Sequence, residues 1–333
     1  MSPDLSKPGG YRYMIKRETF EEAHMAIKKC NNFGLLLFGI FLLLLFGLLF
    51  VIGTFFDESI AIHLYSPDST FVKYVTSCGV FPFFSFAVLF IGALCERIIH
   101  SQFNKIIKVV LAFLCYLIAT AVGFIGAGSF VDKDSLGGLY PVLNRNIPVI
   151  AGISIVFLPL LLWGGYHLAK KTEDKNLVLK IVCLLILLAL AYASLQVLKS
   201  NFPRARYRLV VQGYENIGFR PWYMPLEDIV KFIKDMGIDK GEFRSFPSGH
   251  SILSMCMVMI LQSLTWFSPK LKDKRIILGG LGAAFSMIII FTRLILGAHY
   301  LSDVSAGAII GSFLTIIYTL IQYKIEGRSI KSS

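Results

Sequence analysis

Charge is what this chain has little of. Only 16% of its 333 residues are Asp, Glu, Lys or Arg, whereas 55% are hydrophobic and the mean hydropathy is +0.67. An ordinary soluble domain is nearer a quarter charged, so that class is excluded. Paired cysteine spacing is also missing. Cys30, Cys78, Cys95, Cys115, Cys183 and Cys256 are scattered through or beside apolar runs, with no pattern suggesting zinc or a disulfide frame, and they read as packing residues. No carboxylate cluster suited to a catalytic ion is visible, so no metal and no cofactor is expected. A duplicated half with interrupted apolar segments, expected of many secondary transporters, is absent too. The spans before Leu198 carry few ionisable side chains, which argues against an ion pathway through them. The first apolar run starts too deep and is too long for a cleaved signal peptide, and it is expected to stay as the first span.

What is present is a series of eight apolar runs, each near the roughly 20 residues needed to cross about 30 Å of hydrocarbon. They lie near Gly34 to Phe55, Val75 to Leu94, Val109 to Phe124, Ile147 to Leu168, Leu177 to Leu198, Ser251 to Phe267, Ile276 to Leu296 and Val304 to Tyr323. The expected fold class is all-α, a polytopic integral membrane helical bundle of about eight transmembrane helices. Four segments follow: an N-terminal lead (1–33), the N-terminal transmembrane helices (34–176), a C-terminal four-helix core (177–323) with an outer loop (199–247), and a tail (324–333).

A net charge of +12 could suggest nucleic acid, but the basic residues fall in short loops between spans, which is what membrane topology asks for. With the N-terminus cytoplasmic, the cytoplasmic side collects Lys and Arg before Asn32, from Arg97 to Lys108, from Lys170 to Lys175, from Lys270 to Arg275 and after Tyr323. The opposite side has only Lys73, Lys133, Arg145 and Arg293 apart from the outer loop. Both termini are therefore expected inside, in a plasma or cell membrane, with the bilayer as partner and no nucleic acid.

Between spans the signals are weaker. Thr19-Phe20-Glu21-Glu22 fits a capping box and predicts a helix from Phe20 to about Lys29. Asp57 to Lys73 reads as an outer loop with nothing catalytic in it, and Gly128 to Asn146 as a Gly-rich loop without chemistry. In the outer loop, Leu226, Ile229, Val230, Ile233 and Met236 follow helical spacing, with Glu227 and Asp228 in the first turn and Gly237 at the end. With Trp222 and Tyr223 beside it, this predicts an interfacial helix that either admits a lipid substrate or only covers the site.

The chemistry concentrates where the last four spans meet the outer loop. Lys199-Ser-Asn-Phe-Pro-Arg-Ala-Arg206 follows the fifth span directly, an anion site or a patch drawn to anionic lipid. Ser245-Phe-Pro-Ser-Gly-His-Ser251 precedes the sixth, with Pro247 suited to the first helical position, Ser248 able to donate, Gly249 allowing close approach of a phosphate and His250 able to exchange a proton. Thr292-Arg-Leu-Ile-Leu-Gly-Ala-His-Tyr-Leu-Ser-Asp303 joins the seventh and eighth. Alternating span direction puts Lys199, Arg206, Ser248, His250, Arg293, His299 and Asp303 at one membrane surface. If the eighth helix begins near His299, then Asp303 shares its face and can orient the imidazole. Two histidines, a carboxylate and three cations suit phosphoryl transfer without a metal.

The ordered pattern Lys-x6-Arg, Pro-Ser-Gly-His and Thr-Arg-x5-His-x3-Asp resembles the three signature motifs of the type-2 phosphatidic acid phosphatase superfamily, the membrane lipid phosphate phosphatases, over about residues 177 to 323. The resemblance implies His299 as the nucleophile that forms a phosphohistidine, Asp303 as its orienting carboxylate, and His250 as the acid that protonates the leaving oxygen and then activates water. It implies Lys199, Arg206, Ser248, Gly249 and Arg293 as phosphoryl ligands. Two departures stand out. Tyr207 follows Arg206 where the motif usually has Pro, which predicts altered loop geometry, and Thr292 stands where Ser is usual. Arg204 is a further cation nearby. The expected activity is metal-independent hydrolysis of a lipid phosphate or lipid diphosphate, isoprenyl diphosphate among them, at the extracytoplasmic face through a phosphohistidine. Alternatives are transfer of the phosphoryl group to an alcohol, or a non-catalytic binder or transporter. Neither headgroup nor oligomeric state is written in these motifs.

Overall fold

A computed structural model describes residues 8–227 and 229–331, with side chains for 33–227 and 229–327. Among the described residues there is no β-strand, only an isolated parallel bridge between Arg204 and Arg244. Eight helical segments are long and apolar enough to cross a membrane: Phe33–Leu64, Thr70–Ile99, Lys105–Phe130, Ile147–Lys170, Leu177–Asn201, Gly249–Trp266, Pro269–Ile295 and Leu301–Gly327. The protein is an all-helical integral membrane protein.

Helix α1 runs unbroken from Pro8 to Leu64. The separate helix expected from Phe20 does not exist, because no Gly or Pro between Tyr11 and Asn32 interrupts the backbone before Thr19. The capping side chains themselves lie outside the described ones, as does Cys30. Because α1 continues to Leu64, Asp57 is inside a helix and not in a loop; the connection to α2 (Thr70–Ser77) is only Tyr65 to Ser69. The second span is bent between α2 and α3 (Phe81–Ile99), at Cys78 to Val80, just before Pro82 at the second position of α3.

Helices α4 (Lys105–Phe130), α5 (Leu136–Leu139), α6 (Ile147–Lys170) and α7 (Leu177–Asn201) follow. The sixth span is made of α10 (Gly249–Met255), α11 (Met257–Ser263) and a short 3-10 turn ending at Trp266. It is the centre of the bundle: 83% of its apolar window is buried, against 11% for α6 and 17% for α4, whose side chains are mostly left uncovered by the rest of the protein. Around it stand α7, α12 (Arg275–Ile295) and α13 (Leu301–Lys331). Helix α13 carries on through most of the expected tail; residues 332–333 are outside the described ones.

The first span packs along α13. At Gly53 a Cβ would lie 2.4 Å from the Ser302 backbone nitrogen, so only glycine lets the two helices come this close. One turn later on the same face is Asp57, which the close approach delivers to the start of α13.

The segment between α7 and α10 folds on a core of its own, Ala205, Leu209, Ile217, Leu226, Phe232, Ile238 and Phe243. It contains α8 (Tyr207–Val210) and α9 (Ile229–Met236). The latter starts three residues later than expected; Asp228 is outside the described residues. Its buried face is Phe232 with Ile229 and Ile233, turned into this small core, while Val230 and Met236 are exposed. Trp222 is held too: its indole N–H donates to Thr54 Oγ1 at 3.1 Å and its ring stacks on Phe246 at 5.4 Å.

Candidate active site

The end of α7, the start of α10, the end of α12 and the start of α13 meet at one end of the bundle. Leaving α12 at Ile295, the chain turns at Gly297, whose φ of +57° is a left-handed conformation that favours glycine. The N–H groups of Ala298 and His299 then both donate to the Arg293 carbonyl, at 3.2 and 3.3 Å. This places His299 before α13, not on it, because the helix begins only at Leu301.

Its imidazole is consequently oriented by a different partner. His299 Nδ1 lies 2.7 Å from the carbonyl oxygen of Ser245. A carbonyl can only accept, so Nδ1 carries the proton and Nε2 keeps its lone pair. Asp303 Oδ2 stands 3.8 Å from Nδ1, too far for a hydrogen bond but close enough to stabilise a positive ring. Burial, reinforced by the charges of Arg293, Arg206 and Lys199, pushes the His299 imidazole down to about 3 against the pull of Asp303. The ring is neutral at pH 7.

Asp303 is fixed by its own partners. Oδ2 accepts from the Ser245 hydroxyl at 2.5 Å and from the Tyr300 N–H at 2.9 Å, the latter being the reach-back of a residue in the first turn to the helix cap. Oδ1 accepts from Arg204 Nη1 at 2.6 Å. Arg204 is 2% exposed and fully engaged. It donates Nε to the Arg220 carbonyl at 2.9 Å, Nη1 also to Ser302 Oγ at 3.0 Å and Nη2 to Asp57 Oδ2 at 2.9 Å, with its guanidinium 3.9 Å from the Tyr300 ring centroid. Asp57 in turn accepts from the Ser302 N–H at 2.8 Å and from the Ser302 hydroxyl. Arg204 is therefore an inner strut between two carboxylates and not a free phosphoryl ligand.

A second cluster involves the other arginines. Asp134, in the loop between α4 and α5 to which sequence reasoning assigned no chemistry, is buried among three of them. Its Oδ2 accepts from Arg206 Nη1 at 2.5 Å and Arg293 Nη2 at 2.7 Å, and its Oδ1 from Arg208 Nη1 at 2.6 Å. Burial alone would raise the Asp134 carboxyl, but Arg206, Arg208 and Arg293 hold it well below the usual carboxylate range. Arg208 also forms a fork with Glu242, through Nε at 2.9 Å and Nη2 at 2.8 Å, and Lys133 reaches Glu242 at 2.7 Å. Buried and without partners are Arg206 Nε and both Nε and Nη1 of Arg293. Unpaired buried donors of charged groups are costly and call for an explanation.

The remaining sequence-predicted residues are placed as follows. Lys199 ends α7 and lies in the field of Arg206, Arg293 and Asp134; His250 lies in that of Arg293, Asp134, His299 and Lys199. Ser248 caps α10: its hydroxyl oxygen accepts from the Ser251 N–H at 3.4 Å, while its own N–H donates to the Asp303 carbonyl at 2.9 Å. Since Ser248 is the cap, Pro247 precedes the helix and is not its first residue. At Gly249 the space of a Cβ is bounded by Leu195, 3.0 Å away, so its lack of a side chain serves packing against α7. The Thr292 hydroxyl donates to the Ile289 carbonyl at 2.7 Å, within its own helix. Tyr207 opens α8 and meets Tyr65 edge-on at 5.2 Å.

Sequence reasoning missed Asp57, Asp134, Arg208 and the role of Ser245. Only Asp57 left a signal, a carboxylate at the end of an apolar run. In the comparison with family models, residues 180–326, which hold all three motifs, match the PAP2 superfamily. No curated protein and no solved structure matches the chain. That family match supports phosphatase-type chemistry on phosphate esters, and the matched segment is the part in which α7, α10, α12 and α13 converge.

Proposed function

We propose that this protein hydrolyses a lipid phosphate or lipid diphosphate at the extracytoplasmic membrane face, through a phosphohistidine on His299. The observation that carries the reading is the free N–H set of Arg206 and Arg293, buried beside a neutral histidine whose Nε2 is unprotonated. These donors suit the equatorial oxygens of a transferring phosphoryl group, where most of the catalytic stabilisation is needed.

In the first step the Nε2 lone pair attacks phosphorus, the P–O bond to the lipid breaks, and His250, protonated once the charge of the substrate offsets the surrounding cations, gives its proton to the departing oxygen. In the second, His250 takes a proton from water, the oxygen attacks phosphorus, and the P–N bond breaks to release phosphate and restore His299. The covalent histidine divides one difficult displacement into two easier ones. While the phosphoryl group sits on Nε2 the imidazole is cationic, and Asp303 at 3.8 Å stabilises it. Lys199 and the Ser248 hydroxyl add further donors. The lipid substrate and the extracytoplasmic side are supported by the position of the site at the ends of the spans and by the distribution of Lys and Arg between loops.

The test is turnover of purified protein on a panel of lipid phosphates in ¹⁸O-labelled water. Hydrolysis predicts label in the released phosphate and loss of nearly all turnover in His299→Ala with the fold kept. Product without label would move the reading to transfer onto an alcohol, and unchanged turnover in His299→Ala would overturn it.

A further inference from the structure

We propose that Asp134 is a positioning residue of the active site, supplied by the loop between α4 and α5, which holds Arg206 and Arg293 in the pose that receives a phosphoryl group. The inference rests on the reading of those arginines as phosphoryl ligands and names a residue that lies outside the family-matched segment.

Two geometries could put a carboxylate on these arginines. In one, Asp134 stands where the phosphoryl oxygens go and must leave before substrate binds. In the other, it grips one edge of each guanidinium and leaves the rest for substrate. The distribution of donors decides for the second. Asp134 Oδ2 takes one terminal nitrogen from each arginine, Arg206 Nη1 and Arg293 Nη2. Arg206 Nε and Arg293 Nε and Nη1 remain buried without a partner. A carboxylate acting as stand-in for the phosphoryl group would have used those donors; instead it shares a single oxygen between the two side chains and leaves a set of vacant N–H groups.

The carboxylate is itself well anchored. Its second oxygen is bound by Arg208 Nη1 at 2.6 Å, and Arg208 is locked by the fork to Glu242. The adjoining Lys133 is pinned to Glu242 at 2.7 Å and Asp239 at 2.9 Å, which fastens the loop to the segment between α7 and α10. Arg206 and Arg293 would otherwise be two buried like charges in one pocket, so an anion between them favours their close approach. With Asp134 in place, the two side chains do not depend on substrate to stay together. Less side-chain ordering is then needed when substrate arrives.

The test uses the full-length protein in detergent, with dioctanoyl phosphatidate and a short-chain isoprenyl diphosphate as substrates and orthovanadate as the probe of the anion site. The variants are Asp134→Asn, Asp134→Ala and Asp134→Glu, with His299→Ala as reference. The proposal expects Asp134→Asn and Asp134→Ala to raise both KM and the vanadate inhibition constant about tenfold, the order of one charge-assisted contact. It expects Asp134→Glu, which keeps the charge, to recover to within about threefold of the wild type. Vanadate constants that are unchanged or lower in Asp134→Asn would overturn it, by making Asp134 a bystander or a competitor for the arginines. If Asp134→Ala does not fold, the isosteric Asp134→Asn carries the same decision. Failure of the underlying reading looks different: the wild type itself would show no turnover and no vanadate inhibition, and His299→Ala would be indistinguishable from it.

Discussion

Two buried arginine-carboxylate clusters flank the motif residues of this protein, and they differ in how completely they are paired. In the inner cluster, Arg204 has its Nε and both terminal nitrogens engaged by Arg220, Ser302, Asp303 and Asp57. In the outer cluster, Asp134 is saturated by Arg206, Arg208 and Arg293, yet nitrogens of Arg206 and Arg293 are left without partners. Low dielectric makes both arrangements consequential, since a satisfied buried network holds structure and a partly satisfied one is costly until something fills it. The inner cluster therefore reads as scaffold, and the outer one as a receptor for an anion.

The largest expected effect comes from breaking the scaffold. Arg204→Ala strands Asp57 and Asp303 as buried carboxylates, and removing one partner from such a network destabilises by about 3–5 kcal/mol. Thermal unfolding in detergent should show a large drop in the midpoint, and an unchanged midpoint would refute the scaffold role. Next is Arg293→Ala in the receptor. Asp134 keeps Arg206 and Arg208, so the fold should survive, while turnover falls by about 10²–10³ as a phosphoryl donor is lost. If Arg293→Ala proved less stable than Arg204→Ala, the contrast between the clusters would be wrong. Asp57→Asn is milder, because the amide oxygen can still accept from Ser302; about 1–3 kcal/mol of stability is expected to go, read from the same melts.

A pH experiment sharpens the comparison further. Since His299 is held near 3 in the folded protein against an ordinary value of 6.5, the unfolded chain binds its proton first on acidification. Stability should therefore decline from about pH 6.5 toward pH 3, as unfolded His299 is protonated and the folded ring is not. The decline should shrink in His299→Gln; a wild-type and variant with the same acid profile would contradict the neutral buried ring. The smallest effect is expected from chelation. Among the described residues no group of three or more His, Cys, Asp or Glu is arranged to hold a metal ion, so turnover should be unchanged by EDTA, and strict dependence on Mg²⁺ would count against this site.

Much of this was legible in residue order. The eight spans follow from apolar runs of sufficient length, and the motif residues follow from polar groups placed where runs begin and end. Errors arose where local pattern and packing disagree. A helix signal at Thr19 was real but not a boundary, because nothing before it breaks the backbone. The spacing of His299 and Asp303 suggested one helical face, yet Gly297 turns the chain so that His299 stands ahead of the helix and faces Ser245 instead. Leu226 to Met236 had helical periodicity, and the helix that forms starts only at Ile229 and turns Phe232 into a small loop core while Val230 and Met236 stay exposed.

By itself the sequence determined the class of the molecule, its number of spans, and the segment that matches the family model, because hydropathy and short motifs depend only on neighbours along the chain. Tertiary structure alone decided which carboxylate meets which arginine. Asp57 lies 147 residues from Arg204, and Asp134 lies 159 from Arg293. No helical or loop spacing links positions so far apart; their pairing is created where α1 packs on α13 through Gly53 and where the loop after α4 folds over the ends of α7 and α12.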